Sequence, residues 1–93
     1  MKPRALSEEV EAEVTVRGRE GFIRILESSL RPEVERPSSA RTRASLKAEG
    51  SVLKLEIIAS DITALRAALN SYLRWVQSIS DVVERTRPAG AQQ

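Results

Sequence analysis

Arg41, Arg43 and Lys47 occupy alternate positions of a stretch that reads as extended chain, so their cationic groups fall on one side at multiples of about 6.8 Å. That geometry can meet backbone phosphates. It fits equally a solvated sheet face whose charges pair weakly with Glu56 and its neighbours. No aromatic residue interrupts the stretch. A nucleic acid held there would therefore be gripped by its backbone and not by its bases.

Covalent and acid–base chemistry has little to work with. The 93 residues include no histidine and no cysteine, which removes the usual general base, the pH switch and the thiolate metal ligands. Serines without a base are not nucleophiles, no carboxylates pair at a spacing that demands catalysis, and no glycine-rich phosphate loop is present. The expectation is a protein that is not an enzyme and takes no cofactor, metal or small-molecule substrate. Gly18-Arg19-Glu20-Gly21 matches the Gly-x-x-Gly loop with which KH modules clamp a nucleic-acid backbone. A KH loop joins two helices, however, whereas this one follows a strand, and Glu20 would repel phosphate. A free-standing KH-like RNA-binding module is the alternative function.

Ninety-three residues make one domain at most, and 41% hydrophobic with 30% charged residues is globular composition. Fifteen basic against thirteen acidic residues give a net charge of +2, too small to imply nucleic acid by itself. Distribution says more: Arg41 to Glu49 holds three cations and one carboxylate, while the segments on either side are balanced. No apolar run approaches the roughly 18 residues of a membrane span, and Met1-Lys2-Pro3-Arg4 leads into Ser7-Glu8-Glu9 without an apolar signal core. A soluble, cytoplasmic protein without membrane contact is expected.

The elements that must position these residues follow from periodicity. Val10, Ala12, Val14 and Val16 alternate with Glu9, Glu11, Glu13 and Thr15, which predicts a half-buried strand. Phe22, Ile23, Leu26 and Leu30 recur at helical spacing and predict a helix from about Glu20 to Leu30, stopped by Pro32 and followed by a polar loop from Glu33 to Ala40. Thr42, Ala44, Leu46 and Ala48 alternate with the cations in a second strand, and Glu49-Gly50-Ser51 makes a short turn. The third strand, Val52 to Ala59, is the most apolar and is placed centrally. The predicted fold class is α+β: a β-α-β-β-α chain whose three strands form an antiparallel sheet in the order 1-3-2, with both helices on one face. The domain covers residues 8–86, with tails at 1–7 and 87–93.

Asp61 is placed as the N-cap of the last helix, whose stripe Ile62, Leu65, Leu69, Tyr72, Val76, Ile79 and Val83 alternates spacings of three and four. Ala64, Ala68, Trp75 and Val82 fall on one shoulder of that stripe and Leu73 on the other. The apolar arc then approaches 180°, beyond the roughly 100° that a core-facing helix needs. About 24 residues also give ~36 Å of helix, against ~27 Å for eight-residue strands. A second partner is expected to cover the surplus, with Trp75 as anchor among small residues.

From Leu55-Glu56-Ile57-Ile58-Ala59 through Ser60-Asp61-Ile62 and on to Tyr72-Leu73-Arg74-Trp75-Val76, the chain resembles the signature of the small Pcc-type subunit of the KEOPS complex, the CTAG/Pcc family. Leu30-Arg31-Pro32-Glu33 and a basic second strand follow the same order, so the resemblance covers about residues 8–86. It implies a non-catalytic subunit of the machinery that makes threonylcarbamoyladenosine in tRNA. The helices would dock the threonylcarbamoyl-transferase subunit, a sheet edge would support a homodimer or a mixed dimer with a paralogue, and the subunit would help to hold the tRNA backbone. Combined with the apolar surplus, this nominates Phe22, Ile25, Ala68, Leu69, Tyr72, Trp75, Val76 and Ile79 for partner docking and Arg41, Arg43 and Lys47 for tRNA.

Overall fold

Alternating apolar and polar residues build three eight-residue strands, and two apolar stripes of helical period build the layer that covers them. The computed structural model describes residues 9–36 and 39–86, with side chains described up to Ser80. The order is β1 (Val10–Arg17), α1 (Glu20–Glu35), β2 (Thr42–Glu49), β3 (Val52–Ala59) and α2 (Ile62–Thr86). The sheet runs β1-β3-β2, both pairs antiparallel, as the sequence predicts. The segments 1–7 and 87–93, expected as tails, lie outside the described residues.

β3 is central because it is apolar enough to bury one whole face between two neighbours. Leu53, Leu55, Ile57 and Ala59 are at most 2% exposed and meet Ile23, Leu26, Leu30 and Val34 of α1 and Ala64, Leu65 and Tyr72 of α2. The inward residues of the two edge strands, Val10 to Val16 and Thr42 to Ala48, are only half-buried. Gly50 and Ser51 form the two-residue turn between β2 and β3, and Gly50 has φ +58°, the left-handed conformation that a type II′ hairpin requires at its first central position.

α1 departs from its sequence reading. It does not stop before Pro32 but continues to Glu35, so the loop expected from Glu33 onward begins only after the helix. Proline has no N–H to give to the Ser28 carbonyl, a real local cost. Two tertiary contacts offset it. Val34 extends the buried stripe by one more turn, and the Tyr72 hydroxyl donates to the Glu33 carbonyl at 3.3 Å, serving one of the acceptors that a helix end leaves unpaired. At the other end Arg19 is the N-cap without a side-chain cap bond. The Gly18 amide instead donates to the Ser51 carbonyl at 2.9 Å, tying the β1–α1 junction to the hairpin. A Cβ at Gly18 would lie 3.1 Å from the Phe22 ring, so the close approach favours glycine there. Gly18 and Gly21 therefore flank a strand-to-helix junction, not the helix-to-helix loop of a KH module.

Candidate functional site: a helix shoulder and an open sheet face

Helix α2 is long enough, at 25 residues or about 37 Å, to overrun the sheet it packs on. Its central stripe is spent on the core: Leu65 and Tyr72 are buried, while Leu69, Val76 and Ile79 are half-buried against it. The shoulders are spent only in part: Ala64, expected among the surplus, is buried in the core, and Ala68 is half-buried against it, because both lie close enough to the stripe to reach the sheet. Trp75 is 43% exposed on one side, and Ile62 and Leu73 are 57% and 43% exposed on the other. Beside Trp75 runs a groove floored by Ala64, Ala67, Ala68 and Ser71 and walled by Glu33, Ser39 and Thr42. Small side chains on that floor let another backbone approach closely, and the indole stands ready as an anchor.

The residues nominated for docking thus divide into three groups. Ile25 on α1 and Trp75 on α2 are exposed apolar groups. Phe22, Ala68, Leu69, Val76 and Ile79 are half-buried on the edge of the core. Tyr72 is 8% exposed and hydrogen-bonded within its own chain, and burial and the nearby Glu33 carboxylate push its phenol upward from 10.0. Ile62 and Leu73 were not nominated. Leu73 already lay off the main stripe on the helical wheel, which was the signal; Ile62 sits in the first turn, where the helix has not yet reached full contact with the sheet.

Asp61 caps α2 as expected. Its Oδ1 accepts the Ala64 amide at 2.8 Å, and its backbone carbonyl accepts the Leu65 amide at 3.0 Å. The second carboxylate oxygen pairs with the Arg41 guanidinium, whose Nε also donates to the Ser60 hydroxyl at 3.3 Å. The Ala64 amide, and after it Arg41, hold the Asp61 carboxyl below its usual 3.8. A carboxylate with a lowered folded pKa stabilises the fold above its unfolded pKa and loses that contribution as pH falls through the folded value. Asp61→Asn keeps an N-cap oxygen but loses the charge. We expect it to melt a few degrees below the wild type at neutral pH, with the gap closing in thermal melts once the pH drops through the acid range below 3.8. A gap that persists there would assign the effect to geometry instead of charge.

Arg41 lies just before β2 and pairs with Asp61. β2 starts at Thr42, and the guanidinium turns to the start of α2. Arg43 and Lys47 do point from the open face of the sheet, which no helix covers, but their cross-strand neighbours differ: Arg43 stands opposite Ile58, and Lys47 stands opposite Lys54. Glu11 faces Ile58 from the other side and Glu13 faces Glu56.

Among the described residues no group of histidine, cysteine, aspartate or glutamate is arranged to hold a metal ion, and no helix is long and apolar enough to cross a membrane. The fold and its surfaces define a small β-α-β-β-α domain that presents open faces, apolar on the helices and charged on the sheet. A family profile described as "Transcription factor Pcc1" matches residues 22–84, and the chain belongs to that family. A relative from Pyrococcus abyssi (strain GE5 / Orsay), the "KEOPS complex subunit Pcc1", is 44% identical over 43 residues. That match covers 46% of this chain and 52% of the relative, about half the length of each.

Proposed function

We propose that this protein is a non-catalytic, dimerising subunit of a KEOPS complex in the cytoplasm, which docks the threonylcarbamoyl-transferase subunit through its helices and assists tRNA binding for threonylcarbamoyladenosine modification. The observation that carries the reading is apolar surface left open by a chain of this family: Trp75, Leu73 and Ile62 on α2 and Ile25 on α1 are 43–57% exposed. Large apolar side chains left open on both shoulders of one helix and on its neighbour support an interaction surface on the helix layer. The relative's printed name supports a complex as the destination.

Among the described residues neither edge strand, β1 or β2, is paired on its outer side, which supports dimerisation by strand addition. Charge then constrains register. A two-fold antiparallel pairing of β1 centred on Val14 sets Glu11 against Arg17 of the second copy and Glu13 against Thr15; one centred on Ala12 would set Glu11 against Glu13. β2 has a matching register centred on Leu46, with Arg43 against Glu49. Three half-buried valines and Ala12 on β1 offer more apolar surface than Thr42, Ala44, Leu46 and Ala48 on β2, which favours β1.

The test is a light-scattering mass of the full chain alone and mixed with the transferase subunit. A mass of two chains alone, and one co-eluting species with the transferase, is the expected result. A monodisperse monomer that passes the transferase without binding would remove the adaptor reading.

A further inference from the structure

The two-residue turn at Gly50 and Ser51 dictates which side chains meet across β2 and β3, and it sets Lys47 directly opposite Lys54. The next row toward the hairpin is Arg17, Val52 and Glu49. Three cations from three different strands thus gather at the hairpin end of the open face, where they border one shallow depression with Glu49 and Val52. All three are exposed, and among the described residues none of them makes an ion pair. Like charges directly opposite one another cost a sheet stability. The next row away from the hairpin carries the reverse arrangement, Glu13 opposite Glu56, with Glu11 and Arg43 on either side of Ile58 one row further on.

We infer that Arg17, Lys47 and Lys54 form a seat for the phosphate backbone of RNA at the hairpin end of the sheet. The inference rests on the tRNA reading above and moves the contact away from the Arg41 and Arg43 side. Arg41 is engaged by Asp61, and Arg43 stands in the row of Glu11, within the acidic half. Neighbouring strands lie about 4.8 Å apart, so the cluster spans roughly 10 Å across the sheet, wide enough to engage more than one phosphate. Without an aromatic side chain on this face there is no platform for a base, so the contact is to backbone and independent of sequence. A lipid surface fits less well: the apolar residues of the face, Val52 and Ile58, are half-buried and leave nothing to insert.

The experiment titrates the full chain against an unmodified tRNA transcript by fluorescence anisotropy over a series of salt concentrations. The double variant Lys47→Gln with Lys54→Gln should bind about tenfold more weakly at moderate salt and show a log–log salt slope shallower by close to 2. Lys54→Glu should also bind more weakly yet melt no lower than the wild type, because it converts a like-charged pair into an opposite one; reduced binding without lost stability separates the seat from a folding defect. Arg24→Gln, on the exposed side of α1 across the molecule, controls for bulk charge and should change affinity no more than about twofold. An equal loss in that control, an unchanged slope in the double variant, or binding to phosphatidylserine vesicles but not to the transcript overturns the seat. A chain that joins the transferase yet shows no salt-dependent tRNA affinity overturns the seat and leaves the docking reading standing, whereas lysine-dependent tRNA binding by a chain that ignores the transferase does the opposite.

Discussion

Trp75→Ala is expected to weaken capture of the transferase subunit by at least about thirtyfold while shifting the melting temperature by no more than a degree or two. The indole is 43% exposed, so removing it opens no closed cavity and costs the isolated fold little. In a complex the same ring would be covered, and truncating an aromatic anchor beside a small-residue groove typically costs 2 kcal/mol or more, which is the thirtyfold figure. Leu73→Ala, from the other shoulder and equally exposed, reads how far that side shares the docking. Titration calorimetry with the purified partner reads both. Strong loss from Leu73→Ala with none from Trp75→Ala would move the docking face to the Ile62 and Leu73 side. Loss from neither would leave the helices without a role in docking.

Leu26→Ala should cost the isolated domain roughly 2–5 kcal/mol, a large share of the ~5–14 kcal/mol that a chain of this size can hold in reserve. Leu26 is 0% exposed in the stripe through which α1 meets the sheet and α2. The expected signature in urea is a lower midpoint with an unchanged slope, because the surface exposed on unfolding stays nearly the same. A loss below about 1 kcal/mol would mean that the core collapses around the missing side chain instead of keeping a cavity. The contrast with Trp75 bears on how docking can be probed at all. Leu69 packs against this same core, so a charge placed there would unfold the domain and mimic a lost interface.

Much of this was legible from residue order. Strict alternation in β1 and β2 names the inward residues, and the wholly apolar inward row of β3 places it between them, giving the order 1-3-2. Asp61 three residues ahead of Ala64 signals a cap, and the hydrogen bond is there. The surplus on α2 is likewise a property of the helical wheel, but the structure leaves open only part of its shoulders: Trp75 and Leu73 are exposed, whereas Ala64 is buried in the core and Ala68 half-buried against it. The opposition of Lys47 and Lys54 was within reach too, since a two-residue turn at Gly50 and Ser51 fixes the hairpin register.

What one-dimensional patterns carry is periodicity, and periodicity tells a residue which way to face but not what it will meet. Pro32 reads as a stop because its local cost is visible in the sequence, while the burial of Val34 and the hydroxyl of Tyr72, 39 residues away, are not. Arg41 looks like one more cation of a strand until Asp61 arrives beside it from the start of α2. Arg17 belongs with Lys54 and Lys47 only once β1 has paired with β3. Residue order therefore determined the elements, their inward faces and the excess of apolar surface. Tertiary contact alone decided where α1 ends, which cations stay free and which apolar groups stay open, because each of those is a competition between a local preference and a partner distant in the chain.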